Sequence, residues 1–589
     1  MIDGHSGTSL RIDLASGQVK RESIPDEDLV TYIGGKGLGT KTLYKELESG
    51  IDPLSPKNKL ILTVGPFTAT IIPTVSRHGL FFKSPLTGVY GESYSGGFFA
   101  PEVKKAGYEM IIIEGKAPKP TYVSIIDDSV ELKDARHFWG LDSHETEDGV
   151  KREVGDKAVR VSAIGPGGEK LVRFACISND YGRQAGRGGA GAVMGSKNLK
   201  ALAVRGTKKT KVHDEEKLRS YVTELLQKLP KDLPLRNVGT PIMVDLENKL
   251  GTFPTHYWHK GFFKDHTAIN AEAMKKIVVR NKACFNCPIA CGKLVSVTDG
   301  KYAGTEVEGP EYETIYAFGG LCEIADIKAI AKANDLCDRL GIDTMETGNM
   351  IALAMEACEV GKMKMDPKIK FGDTDAAIDM IQKIGKCEGP AGTLLSQGVR
   401  EAAKLLDMPE TAIHVKGQSP AGYDARGLKG MGLGYAVGPA GASHLRSNIY
   451  APESRGVIDR FATEGKPAFL KNLEDRMAIL DSAICCHFGR DLFFTWNDLP
   501  KLFEFVTGRP TTEAELHEKA NAIITNARRF GTREGISRKD DMLPRRFMEE
   551  PLPEGGSQGS VVKKEELDKM LNEYYALRGW NAEGKPPPD

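Results

Sequence analysis

Residues 283–293 read ACFNCPIACGK, which places Cys284, Cys287 and Cys291 within eight residues. Inert core thiols are seldom packed so densely along a chain, and clustered thiols outside a disulfide scaffold point to metal or redox chemistry. The spacing is C-x2-C-x3-C. Zinc sites usually complete a C-x2-C with a second such pair or a downstream H-x3–5-H, and neither follows here. Iron–sulfur clusters take four thiolates, often three local and one remote. An iron–sulfur cluster is therefore the expected occupant, ahead of zinc or buried thiols without a metal. Its fourth ligand lies among the other seven cysteines, of which the adjacent Cys485 and Cys486 in DSAICCHFGRD are the most conspicuous. The order also runs opposite to the C-x3-C-x2-C of radical S-adenosylmethionine enzymes.

The rest of the composition narrows the setting. A chain of 589 residues has room for roughly three or four domains. Lys+Arg and Asp+Glu both number 80, so no charge excess marks a nucleic-acid or anionic-membrane partner. No apolar run approaches the ~20 residues of a membrane span. The opening MIDGHSGTSLRID lacks the basic start and apolar core of an export signal, so a reducing, cytoplasmic setting is expected. The 65 glycines imply many tight turns or close backbone approaches to a ligand.

Along the chain, residues 1–210 read as a β domain. KLILTVGPFTATII, GYEMIIIEGKA, PTYVSIIDDSVEL, AVRVSAIG and LKALAVRG are strand-like runs separated by Gly, Pro and Asp punctuation. From 211 the texture turns helical, beginning with HDEEKLRSYVTELLQKL. Within 211–417, DIKAIAKANDLCDRL predicts a helix with Asp326 as N-cap and Gly341 as a left-handed stop. Asp343 with Glu346 predicts a capping box on the next helix, which Gly361 would end. DRLGID is thus a helix–turn–helix corner. Residues 418–589 form the third unit, with LPEGGSQGS a loop and GKPPPD a frayed tail. The fold class is α+β, a β-sheet domain followed by two mainly helical ones.

Several other segments carry polar chemistry. GRQAGRGGAGAVMGSKNLKALAVRG contains G-x-G-x-x-G at Gly186, Gly188 and Gly191, but Gly195 and an early strand leave no room for a dinucleotide fold's long helix. Its amides with Arg183 and Arg187 suit a phosphate nest, or else the segment is a glycine-dense turn. FKSPLTG and SGGFF are similar compact turns. Glu311 and Glu313 in GPEYETIYAFGG stand at a helix start, where acids are ordinary. His444 in GPAGASHLRSN lies in a small-residue loop beside Arg446, with room for a ligand or a capping role. His256 and His259 in PTHYWHKGF either line a pocket or pack beside Trp258. Asp338 to Asp343 and Asp481 to Cys486 repeat one frame, as two halves of a symmetric ligand would require.

Taken together, FKSPLTG, SGGFF, IIIEGKAP, GRQAGRGGAGAVMGSKNLKA, C-x2-C-x3-C, GPEYET, DRLGID, GYDARGLKGMGLGYA and GISRKDDMLPRRF resemble the tungsten-containing aldehyde:ferredoxin oxidoreductase family over nearly the whole chain. That resemblance implies a β domain cradling two pyranopterins, with two helical domains closing over them. Asp338, Ile342 and Asp343 would hold one pterin, and Asp481, Cys485 and Cys486 would face the other, with Cys486 by position the cluster's fourth ligand beside Cys284, Cys287 and Cys291. Ile484 stands where the family's second motif usually has glycine, and Cys485 where it has Leu, which shifts the expected backbone there. Arg77 matches the arginine between cluster and pterin. Ala185, Gly186 and Arg187 match the loop at the pterin phosphates and their Mg²⁺, and Gly96 and Arg446 join the cofactor-binding set. Tyr94 replaces the family's asparagine before SGG, and a phenol is a poor Mg²⁺ ligand.

The implied activity is oxidation of an aldehyde to a carboxylic acid at a tungsten (or molybdenum) bis-pyranopterin. Electrons would pass through the cluster to ferredoxin or a small ferredoxin-like subunit, in a homodimer or hetero-oligomer. Glu313 resembles the family's water-activating carboxylate, and His444 its hydrogen-bond donor to the carbonyl oxygen. The competing reading is the tungsten subunit of an aromatic (benzoyl-CoA-type) acyl-CoA reductase, in which Cys322, nine residues after Glu313, would ligate the metal. Otherwise Cys322 is a buried thiol. A third reading makes the chain a cluster-bearing electron-transfer subunit.

Overall fold

The computed structural model describes residues 2–588. Its first 205 residues build two six-stranded sheets. The first uses β1 (Thr8–Asp13), β2 (Gln18–Ser23), β3 (Leu60–Thr63), β4 (His78–Lys83), β5 (Tyr90–Ser95) and β6 (Met110–Glu114), in the order β2-β1-β6-β3-β4-β5. The second uses β7 (Thr121–Ile126), β8 (Ser129–Asp134), β9 (Arg160–Ala163), β10 (Ile177–Asn179), β11 (Arg183–Ala185) and β12 (Leu199–Arg205), in the order β11-β10-β9-β12-β7-β8. Each sheet has one parallel pair, β1 with β6 and β7 with β12. The remaining pairs are antiparallel.

Strand periodicity decides which layer each side chain joins. Leu60, Leu62, Ile111 and Ile113 turn inward to meet Val123, Ile125, Leu202 and Val204 in one core shared by the two sheets. Ile61 and Ile112 turn outward, under Leu38, Leu43 and Phe530 from the helices Gly35–Glu46 and Glu513–Arg533. The run KLILTVGPFTATII is a strand only to Thr63. At Gly65 the chain must pass close to another backbone, since a Cβ there would lie 2.7 Å from the Ala483 carbonyl, and the following buried loop leads to Arg77.

The helical part confirms the expected punctuation and corrects some of it. Asp326 caps the helix Ile327–Leu340 through the Lys328 amide, and Gly341 closes it at φ +68°. Asp343 caps the helix Thr344–Glu359 through the Met345 amide. No capping box forms, because the Glu346 carboxylate accepts the Val399 and Ser419 amides, each at 3.2 Å, and so ties this helix to two loops. The terminal prolines are held by Arg529, whose guanidinium donates to the Pro587 and Pro588 carbonyls, and so are not frayed; Asp589 is outside the described residues. A third sheet also interrupts the helical texture, with β13 (Val278–Lys282), β14 (Gly292–Ser296) and β15 (Glu306–Glu308) in that order. The three clustered cysteines lie in the β13–β14 connection. VVRNK is short and mostly exposed, so it carries no alternating signal.

Two glycine seats fix the helical part on the sheets. A Cβ on Gly165 would lie 2.5 Å from the carbonyl oxygens of Arg339 and Leu340, and the Asp343 amide donates to the Phe174 carbonyl at 3.1 Å. On the other sheet, a Cβ on Gly35 would lie 2.2 Å from the Asp481 carbonyl oxygen, and the Cys486 amide donates to the Thr74 carbonyl at 2.8 Å. Ile484 does not shift the backbone of the second motif. It adopts φ +61°, ψ +44°, as Gly341 adopts φ +68°, ψ +51°, at a steric cost of about 1–2 kcal/mol for a side chain.

Candidate active site

Between the sheets and the two helix ends lies a cavity of about 920 Å³. That is near the upper end of the volumes that hold organic ligands. Arg77, Tyr94, Gly96, Gly186, Arg187, Cys284, Cys287, Cys291, Glu313, Asp338, Ile342, Asp343, His444, Arg446 and Cys486 all line it. Ala185, Asp481 and Cys485 do not. Ala185 is buried in its pairing with Ile177, and Asp481 lies one layer behind the wall. The left-handed turn at Ile484 sends Cys485 into the apolar core and brings Cys486 to the cavity, which separates the two adjacent thiols.

Cys486 faces Cys284, Cys287 and Cys291. Burial raises the thiols of Cys287, Cys291 and Cys486, Cys287 to about 11, and neighbouring Cys486 pushes Cys287 and Cys291 further; Arg77 acts on Cys486 in the opposite sense. Thiols so placed are protonated unless a cation replaces the proton. Gly96 belongs to this wall, because a Cβ there would approach the Cys284 sulfur to 3.0 Å. Among the described residues no group of three His, Cys, Asp or Glu side chains is placed to hold a metal ion. The four thiols instead surround space, which suits a multi-atom cluster better than a zinc ion.

The two aspartate motifs share a backbone, but their carboxyl groups shift in opposite directions. Asp338 accepts from the Asn334 amide at 2.8 Å, and burial, reinforced by Asp335 and Glu308, raises its carboxyl well above the ordinary range. Burial also raises Asp343, although Arg187 lies 3.1 Å away. Asp481 is buried too, but Arg446 at 2.8 Å and His487 at 2.9 Å hold it well below the ordinary range. Arg446 also meets Glu92 at 3.0 Å; Glu92 takes Lys36 at 2.8 Å and the Tyr94 hydroxyl at 2.7 Å. Tyr94 therefore commits its hydroxyl to Glu92, and the guanidinium groups of Arg77 and Arg446 lie over its ring at 5.5 and 5.2 Å. Sequence reasoning missed Lys36, Glu92 and His487. The available signal was YGESYS, a strand buried on both faces despite its polar residues, whose carboxylate requires buried cations.

Glu313 opens the helical turn Tyr312–Ile315, which passes into a π-helical turn at Tyr316–Gly320. Such turns recur at functional sites. One Glu313 oxygen accepts the Gly422 amide at 3.0 Å; the other is buried without a hydrogen-bond partner, with His444 Nε2 at 3.6 Å, and both residues line the cavity. Burial pushes Glu313 up to about 8 and His444 down to about 3, the latter helped by Arg187 and Arg446. Tyr423 stacks on Tyr450 with ring centroids 3.8 Å apart and lies 5.6 Å from His444 and 5.2 Å from Tyr312, so aromatic rings wall this end.

Cys322 is fully buried, and its thiol donates to the Ala317 and Gly348 carbonyls at 3.5 Å, away from the cavity. Cys322→Ser is expected to leave turnover within about two-fold of the parent, as a steady-state assay would show, because a hydroxyl can make the same bonds. His256 and His259 also stay outside the cavity. His256 stacks on Phe371 and pairs with Glu323 at 3.2 Å, and His259 meets Glu356 at 3.3 Å.

Residues 9–206 match the family description "Aldehyde ferredoxin oxidoreductase, N-terminal domain", and residues 217–589 match "Aldehyde ferredoxin oxidoreductase, domains 2 & 3". The tungsten-containing aldehyde ferredoxin oxidoreductase of Pyrococcus furiosus is 39% identical over 99% of this chain and 98% of its own. That of Thermococcus kodakarensis is 38% identical over the same shares. The aliphatic sulfonate oxidoreductase, WOR-like subunit, of Pyrococcus furiosus is 30% identical over 99% of this chain and 95% of its own. Among solved structures, the active site complex BamBC of benzoyl coenzyme A reductase superposes with a TM-score of 0.86 over 100% of this chain and 96% of its own, at 24% identity, a likeness of fold alone. With both family descriptions matched and relatives near 39% identity along its length, the chain belongs to the aldehyde ferredoxin oxidoreductase family.

Proposed function

We propose that this protein oxidises aldehydes to carboxylic acids and passes the electrons through a 4Fe-4S cluster to ferredoxin. The observation that carries the reading is the buried Glu313 oxygen left without a hydrogen-bond partner beside a neutral His444, at the wall of a cavity that four thiols also line. A tungsten bis-pyranopterin, when bound, would supply the two-electron oxidant that the aldehyde needs. Cys284, Cys287, Cys291 and Cys486 would hold the cluster. Arg77, near both Cys486 and Tyr94, would lie between cluster and pterin.

Asp338 and Asp343, whose carboxyls burial raises and which line the cavity, would meet the edge of one pterin. Asp481 would act through Arg446, which it orients with Glu92. Gly186 has open space beside it, and with Arg187 it would approach the phosphates. Mg²⁺ between those phosphates would take phosphate oxygens, backbone carbonyls and water, since Tyr94 is turned to Glu92.

In the reaction, the Glu313 carboxylate takes a proton from water as the water oxygen attacks the aldehyde carbon, and the aldehyde C–H bond then breaks, giving up one proton and the two electrons that leave the site. His444, neutral at working pH, donates an N–H to the carbonyl oxygen as charge builds there. Tyr312, Tyr423 and Tyr450 suit an aldehyde with an apolar or aromatic body. All ten cysteines are free thiols, in keeping with the reducing cytoplasm; among the described residues no helix is long and apolar enough to cross a membrane. Anaerobic purification with metal analysis tests the reading. About four irons and one tungsten per chain are expected, with aldehyde-dependent viologen reduction. Iron without tungsten, after growth with tungstate, would reduce the protein to electron transfer.

A further inference from the structure

We propose that a small acidic iron–sulfur carrier docks on a cationic collar around the cysteine loop, formed by the segment 228–237 and by the residues 275–282 that lead into the loop. This rests on the cluster reading of Cys284, Cys287, Cys291 and Cys486. The whole chain balances 80 basic against 80 acidic residues. These two segments hold seven basic residues and one acid, Asp232, which is occupied by Asn237. Lys228 and Lys275 pair with Glu224 and Glu272. Among the described residues Lys231, Arg236, Lys276 and Arg280 form no ion pair, while Lys282 is close enough to Glu308 to act on its carboxyl.

The segments are joined to the loop, not merely near it in sequence. Arg236 donates to the Pro288 carbonyl at 2.8 Å, directly after Cys287, and the Asn281 side chain donates to the Arg236 carbonyl at 2.9 Å. β13 is the edge of its sheet, with Arg280 exposed. Charge on an edge strand guards against pairing, but that role does not require cations on the neighbouring segment as well. Two exposed apolar side chains flank the loop, Val279 at 57% and Ile71 at 38%. The Ile71 carbonyl accepts from Asn286 at 2.8 Å, so Ile71 borders the loop. An apolar spot within a cationic surround is the arrangement of an electrostatically steered interface. The established family name supplies the acceptor class. Each aldehyde oxidised releases two electrons, so two oxidised carriers each take one electron at this surface and leave reduced.

The test is Lys276→Glu/Arg280→Glu in the holoenzyme, with an acidic 4Fe-4S ferredoxin as the probe. The expected result is roughly 10-fold weaker ferredoxin binding and a correspondingly raised KM for ferredoxin at low salt, with a flattened salt dependence. Viologen-coupled aldehyde turnover and iron content stay at parent values. Unchanged ferredoxin affinity, or parent affinity that does not respond to salt, would overturn the docking surface. Absence of iron in the parent would instead overturn the cluster reading on which it stands.

Discussion

Glu313→Gln is expected to lower kcat by about 100-fold or more while tungsten and iron stay bound. The amide keeps the size and the acceptor oxygen for the Gly422 amide, so the loop at Gly422 is not disturbed. It loses the one function that the free oxygen supplies, removal of a proton from water. The pH profile separates this from a structural effect. Burial raises Glu313 to about 8, so its carboxylate form is scarce at neutral pH and grows as pH rises through about 8. In the parent, kcat/KM should therefore climb through that range; in Glu313→Gln the limb should vanish. His444 contributes no limb there, being neutral far below it. An unchanged rate in the variant would remove Glu313 from the chemistry.

The second large effect is a contrast between neighbours. Cys486→Ala should abolish the low-temperature electron paramagnetic resonance signal of the reduced cluster, or convert it to a three-iron form, and should lower ferredoxin-coupled turnover by about 100-fold or more. Cys485→Ala should leave the signal intact and lower stability by about 1–2 kcal/mol through lost packing, measured by thermal unfolding. The difference follows from a single residue, since left-handed Ile484 decides which thiol faces the cavity. Equal cluster loss in both variants would mean that the turn does not sort them.

How much of this was readable beforehand depended on the range of the interaction. The helix Ile327–Leu340 was legible because Asp326 and Gly341 are local signals, acting within one turn of each end. The cysteine loop was legible because its ligands are close in sequence. Glu346 was misread as a box partner because the amides that claim it belong to Val399 and Ser419, more than fifty positions away. The Lys36–Glu92–Arg446–Asp481 network was invisible for the same reason, four side chains from four distant segments. The choice between Cys485 and Cys486 needed position within a motif, and became physical only when the turn's handedness was known. KLILTVGPFTATII looked like one strand because nothing in it announces that Gly65 must pass under Ala483.

The glycine seats at Gly35 and Gly165 act as datum faces, in the machinist's sense of fixed references from which other surfaces are measured. Each leaves no clearance for even a methyl group against the helix end it receives. The two halves of the cavity are thus each referenced to a sheet as well as tied to each other through Gly422 and Ser419, and exchange of Tyr423 or Tyr450 can reshape the substrate wall while the Tyr312 hydroxyl keeps Gly422, and with it Glu313, in place. A methyl added at either seat would displace a whole wall at once. Substrate range in such a molecule is free to drift while its electron path stays in register.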